Sequence, residues 1–372
     1  MNIRDRIDAL KCAMESEGLD LLIGFHDSGH FIEKPNPVMV LANFKSLGDA
    51  AVVLPREGDP VLVVTPAWDA ERAIETSPHM KVIGTDDLVA EVASAIDRAR
   101  VPASRVGVAG LAAMPAAIEK AVMEKLNGEA KPVDALVTKN ARRKTSAEIE
   151  RAREATRIAE KAYEYMLEIA RPGMREDELA SEVRWYGKSL GAEDNFFMMT
   201  SGRHSMAVQT SSGRKFEQGD LVLGELTPSF EGQMSQICRT LSLGPAPDVV
   251  RDKYQLLVHA MKEGMKLARP GNTMGQVCNA INAVLEAQGY GKYCHPPHIK
   301  RRGHGLGFGS TLPGDVAPDN GIVLEEDMFF VIHPNQYLPE TGYMMCGEPT
   351  LITAQGAQPL TKRFAWLEEV KV

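Results

Sequence analysis

Five polar residues stand at the ends of apolar, strand-like runs in the second half of the chain. They are Glu225 in GDLVLGEL, Gln236 in GQMSQICRT, His304 in RRGHGLGFG, His333 in MFFVIHPN and Glu348 in MMCGEPTLI. An ionisable side chain inside such a run is costly to bury unless it is paired or used. Imidazoles beside carboxylates are the groups of acid–base hydrolysis, because histidine, with an ordinary pKa of about 6.5, exchanges protons near neutrality. The glycines around His304 permit close approach of backbone to that residue. They lack the GxGxxG spacing of a phosphate-binding turn, which argues against a nucleotide.

A repeat positions these residues. ARPGM at 170–174 returns as ARPGN at 268–272. Each copy follows one helical pattern, about 146–169 and 251–267, and precedes another, about 176–190 and 274–288. Thr145 with Glu148 makes a capping box for the first of these helices. A strand opening on an acidic residue then follows in each half, GDLVLGEL at 219–226 and EDMFFVIH at 326–333. The shared order implies a duplication about a pseudo-twofold axis, with helices outside. A pocket on that axis would draw polar groups from both halves. Upstream, apolar runs at 19–25, 49–55, 59–66 and 105–111 alternate with helical patterns, as in an α/β domain. The charged NARRK segment marks the junction, giving an N-terminal domain at 1–140 and a C-terminal α+β domain at 141–372.

Composition narrows the function classes. A net charge of −8 argues against binding a phosphate backbone, so no nucleic-acid partner is expected. The opening MNIRDRIDALKCAMESEGLD is a charged amphipathic helix without the apolar centre of a secretory signal. No apolar run reaches the roughly 18 residues of a membrane span. The five cysteines are odd in number and lack CxxC spacing, which suits reduced thiols in a cytoplasmic protein. Met198, Met199, Met344 and Met345 offer soft apolar packing and an adaptable pocket wall.

Several segments together resemble a known family. RRKTSAEIERAREATRIAEKA, FEQGDLVLGEL, SQICRTLSLG, GHGLGF and HPNQYLPETGYMMCGEPTLIT occur in the order found in the creatinase/aminopeptidase P/prolidase group. The resemblance spans nearly the whole chain. It implies a pita-bread C-terminal domain behind a creatinase-like N-terminal domain, and a homodimer with its pocket near the subunit interface. It also implies that a loop holding His26 or His30 can reach the partner's pocket. The peptidases of this M24-like group hold two divalent ions with two aspartates, a histidine and two glutamates. Matched residue by residue, those positions carry Glu225, Gln236, His304, His333 and Glu348. A second family histidine falls at Thr311, and a third at Val208 or Gln209, with His204 nearby but out of register.

Those replacements change the electrostatics. Two dications in one site repel and need bridging carboxylates. Gln236 is neutral, and His333 offers a single nitrogen, so a di-metal centre is not expected. A single ion on His304, His333 and Glu348 remains an alternative, since two histidines and a carboxylate suit zinc or iron(II). The leading expectation is a metal-free hydrolase resembling creatinase, which cleaves a C–N bond of a small polar metabolite. The base is then His304 or His333, oriented by Glu225 or Glu348. Gln236 and Gln209 give neutral hydrogen bonds, His204 lies close by, and Arg239 either anchors an acidic group or pairs with a buried carboxylate. Three further alternatives are a single-metal hydrolase or lyase, an X-Pro aminopeptidase or dipeptidase, and a non-catalytic binding protein.

Overall fold

The computed structural model describes residues 1–26, 36–193, 195–307 and 312–371. The chain divides into two compact units. One comprises Met1–Ala147 with Leu312, and the other runs from Glu148 to Gly307 and on from Pro313.

The first unit is a mixed sheet between helices. Its strands are β1 (Leu21–His26), β2 (Ala50–Pro55), β3 (Val61–Val64), β4 (Lys81–Gly84), β5 (Val106–Ala109) and β6 (Lys131–Pro132), ordered β4-β3-β2-β1-β5-β6. Its helices are α1 (Ile3–Ser16), α2 (Pro37–Ala42), α3 (Ala70–Thr76), α4 (Leu88–Ala99), α5 (Ala116–Lys125) and α6 (Asp134–Ala141). Strands β1 and β2 are apolar at nearly every position because both faces are covered. Leu22, Val52 and Leu54 pack with α1, α2 and α6, whereas Ile23, Phe25 and Val53 pack with α4 and α5. The four apolar runs read from the sequence are β1, β2, β3 and β5. His26, placed by the resemblance in a loop that reaches the partner's pocket, instead closes β1 and is buried at 7% exposure. His30 and Thr311 lie outside the described residues.

The second unit holds the duplication. Its first half runs α7 (Ser146–Ile169), α8 (Glu176–Ser189), β7 (Asn195–Gly202), β8 (Leu221–Phe230), β9 (Gln233–Met234) and β10 (Ile237–Leu243). The second half runs α9 (Asp248–Leu267), α10 (Met274–Ala287), β11 (Gly303–Gly305), β12 (Phe329–Ile332), β13 (Gln336–Leu338), β14 (Gly342–Met344), β15 (Glu348–Thr353), β16 (Gly356–Pro359) and β17 (Glu368–Val370). Antiparallel β7-β8-β10 corresponds to antiparallel β11-β12-β15, each behind its own helix pair. Strand β17 returns to pair with β10. Val222, Leu226, Ile237 and Leu241 pack under α7 and α8. Phe330, Ile332 and Ile352 pack under α9 and α10. The two sheets meet where Cys238 bridges Gly347, with backbone bonds of 3.3 and 3.0 Å. No helix among the described residues is long and apolar enough to cross a membrane.

Candidate active site

Strand periodicity decides which side chains share the face away from the helices. Successive residues alternate faces, and cross-strand partners share one. Val222 and Leu226 face the helices, so Glu225 faces away, together with its partners Met198 on β7 and Cys238 on β10. In the other sheet Ile332 faces α9 and α10, so Val331 and His333 lie on the opposite side, where Val331 packs with Ala152 of α7. His304 pairs with Val331 and joins them. Gly347 links the two groups. A Cβ there would lie 2.7 Å from the His333 Cβ and 3.0 Å from the Cys238 Cβ, so only glycine allows this approach. Gly303 has a similar role, since its Cβ would sit 2.0 Å from the Val331 carbonyl oxygen. Glu225, Cys238, His304 and His333 thus form one cluster.

The rings of His304 and His333 stand 5.4 Å apart, nearly edge to face. Both are buried. His304 Nδ1 donates to the Gly305 carbonyl at 3.0 Å, because a carbonyl can only accept. Burial, aided by the nearby Arg301 charge, lowers the His304 pKa to about 4. The ring is therefore neutral at pH 7, with Nε2 left as an acceptor. Burial holds His333 well below its ordinary value too, and the Arg301 charge adds to this. Its Nδ1 has no hydrogen-bond partner among the described residues. Burial acts the opposite way on Glu225, pushing its carboxyl up to about 7 against the pull of Arg301.

Glu348 corrects an expectation. It pairs with Ile332 and so lies on the helix side of the sheet, away from the histidines. There it accepts from Arg239 at 2.9 Å, from the Ala365 amide at 2.5 Å and from the Thr361 hydroxyl. Burial pushes the Glu348 carboxyl up, while Arg239 and these donors oppose that shift. Arg239 also donates to the carbonyls of Cys238, Gly347 and Arg363. Of the two roles open to it, Arg239 is the structural partner of a buried carboxylate.

The remaining expected residues divide. Gln236 is buried. Its Oε1 accepts from Thr227 at 3.2 Å, and its amide nitrogen lies 3.5 Å from the Cys238 thiol. Val208 packs against Leu223, Cys238 and Met345. Gln209 is exposed, held by its backbone to Thr200 and Met199, and does not join the buried cluster. His204 is exposed as well. Its Nε2 bonds the Pro339 carbonyl at 3.0 Å and its ring meets Tyr337 edge-on. Sequence reasoning missed Tyr343, which packs beside Cys238, and Asn335, which bonds the Cys346 amide at 2.9 Å. Their only signal was proximity to His333 and to the YMMCG methionines. Two cavities of about 510 and 550 Å³ lie in the first unit, and neither is lined by a candidate residue.

The model of metallopeptidase family M24 matches residues 150–354, more than half of the chain. The chain belongs to that family. The creatinase/prolidase N-terminal domain matches residues 6–143 of the same M24 protein. A Xaa-Pro dipeptidase of Pyrococcus furiosus is 28% identical over 93% of this chain and 98% of its own length. An uncharacterized peptidase of Bacillus subtilis is 31% identical over 63% of this chain and 66% of its own. Among solved structures, the Xaa-Pro dipeptidase from Bacillus anthracis has a TM-score of 0.85 at 23% identity, covering 99% of this chain and 100% of that one. The prolidase from Pyrococcus horikoshii also has a TM-score of 0.85, at 24% identity, over 98% and 99%. The pita-bread fold behind an N-terminal domain is thereby established for this M24 chain.

The metals of a metallopeptidase family must be tested against the donors in this M24 site. Gln236 carries no charge and is engaged by Thr227 and Cys238. Both Glu348 oxygens are occupied on the far face of the sheet. Among Glu225, Gln236 and Glu348, Glu225 alone is left to supply negative charge on the histidine side, and burial opposes its ionisation. These residues do not fit a pair of divalent ions. Nor does Glu348 serve as third ligand beside His304 and His333, which corrects the single-ion set read from the sequence. Among the described residues no group of three His, Cys, Asp or Glu side chains is arranged to hold an ion.

Proposed function

We propose that this M24 protein hydrolyses an amide-type C–N bond in a small substrate, with Glu225 carrying the proton and the two histidines positioning the reactants. The observation that supports this reading is the close approach at Gly347 of the Cys238 and His333 side chains, which links the Glu225 face of one sheet to the histidine face of the other, with a buried His333 nitrogen that has no partner among the described residues. A carboxyl with a pKa of about 7 is matched to taking a proton from water and returning it to a leaving nitrogen. The histidines, neutral and lower in pKa, are weaker bases. His304 Nε2 accepts a hydrogen bond from water or substrate, and Cys238 and Tyr343 wall the site.

The relatives favour a particular substrate. Their names make a Xaa-Pro dipeptide the first compound to assay, ahead of the creatine-like metabolite put first from the sequence. A homodimer is part of the same proposal. Glycyl-proline, alanyl-proline and creatine should be assayed with the wild type and with His304→Ala, His333→Ala and Glu225→Gln. We expect each variant to lose at least about a hundredfold in kcat with the fold retained. Full activity in both histidine variants would sink the reading.

A further inference from the structure

The cavity of about 510 Å³ in the first unit is a consequence of how α4 ends. Leu88, Val92 and Ile96 carry the apolar face of that helix onto the sheet, but in its last turns the face continues as Ala95 and Ala99. Residues four apart share a helix face, so the two alanines stand together. Their short side chains do not fill the space above Leu21, Val53 and Val61, and these five residues line the cavity. Val53 and Val61 are cross-strand partners, and Leu21 pairs with Pro55, two residues along β2 from Val53, so the three strand residues share one face.

The rim of the cavity is charged. Asp20 is already held by Arg56 at 3.1 Å and by Arg105 at 2.8 Å. Glu57 is largely exposed and lies 3.8 Å from Arg56. Arg98 turns back along α4 to Ser94 and Glu91, both at 2.7 Å. Arg100 differs. It is exposed, and its guanidinium has no partner among the described residues. It also ends α4 at φ 51° and ψ 34°, in the left-handed region that residues other than glycine and asparagine seldom adopt at a helix end. Arg98 already gives the last turn its cation, so the helix dipole does not call for a second one. An arginine kept in a backbone conformation suited to glycine, at the edge of an apolar cavity, points to a use for its side chain.

We propose that this cavity of the N-terminal unit binds a small acid with a short apolar body, the carboxylate on Arg100 and the body between the α4 alanines and the valines of β2 and β3. No residue of the histidine cluster lines it, and the proposal is independent of the hydrolase reading. The charge balance selects an acid. Both rim carboxylates have arginine partners, so the unspent charge is positive, and a guanidinium fork matches a carboxylate. The volume lies within the roughly 300–1,000 Å³ of small-molecule pockets. An uncharged amphiphile would fill the apolar part and leave Arg100 unused, and a bare carboxylate would reach Arg100 and bury nothing.

The test therefore separates head from body. Octanoate, octanamide and acetate are titrated into the full chain by calorimetry at low salt. Octanoate should bind roughly tenfold or more tightly than either of the others. Arg100→Gly should bring octanoate down to the level of octanamide without lowering the unfolding temperature, because glycine adopts the left-handed backbone freely. Ala99→Phe, which fills the cavity, should weaken octanoate and octanamide alike. Equal binding of octanoate and octanamide, a preference for the acid that survives in Arg100→Gly, undiminished binding in a folded Ala99→Phe, or no octanoate binding at millimolar concentration would overturn the proposal.

Discussion

At the scale of single residues, burial shifts carboxyl and imidazole in opposite directions, and stability should record both. Glu225 ionises near 4.5 in an open chain and near 7 in the fold, so the native state holds its proton longer. That contribution to stability is complete below about pH 4.5 and is lost as pH rises toward 7, amounting to roughly 1–3 kcal/mol. His304 has the opposite sign. Its folded pKa of about 4 lies below its open-chain value, so its contribution is present above about pH 6.5 and is lost as pH falls toward 4. In the wild type the two partly cancel between pH 4.5 and 6.5. Denaturant titrations should therefore show Glu225→Gln gaining stability with rising pH across that window, relative to wild type, and His304→Gln losing it. A flat difference for both variants would contradict the burial argument. Arg239 makes a different case, because its removal strands the Glu348 charge. Arg239→Ala should cost about 3–5 kcal/mol by the same titrations, whereas a Met/Leu pair replacing both partners should recover much of that.

At the scale of elements, the close packing of α9 and α10 depends on small residues. A Cβ on Gly264 would lie 2.6 Å from Ile281 Cγ1 and 3.4 Å from the Val277 carbonyl. Gly264→Ala should cost about 1–3 kcal/mol through overpacking, and adding Ile281→Val should return part of the loss, measured as shifts in denaturation midpoint. The long helices were legible because apolar spacing, capping residues and the Pro-Gly stops agreed. The sequence placed one helix at 146–169, and α7 is Ser146–Ile169. Short elements such as α2, β4 and β6 were not anticipated, since six residues or fewer hold too little periodicity to distinguish helix from strand.

At the scale of the whole molecule, the second unit joins two copies of one motif, and the proposed site draws on both. On the proposed reading this site works without a pair of ions, since two dications need bridging negative charge and Gln236 carries none. Elemental analysis of protein purified without added metal should find fewer than two equivalents, and a chelator should leave turnover unchanged. Two tightly held ions, or activity that returns only with manganese or cobalt, would contradict this.

The sequence by itself determined the duplicated architecture and the N-terminal α/β domain. These follow from periodicity and the order of motifs, which are local. It did not determine which polar residues meet. Glu348 opens β15 and His333 follows the adjacent β12, and the two look equivalent on paper. One register pairing, Glu348 with Ile332, turns Glu348 to the helix side and into the grip of Arg239. Strand register is set by long-range pairing between segments distant in the chain, so only the tertiary structure could separate the carboxylate held by Arg239 from the one on the opposite side with Cys238.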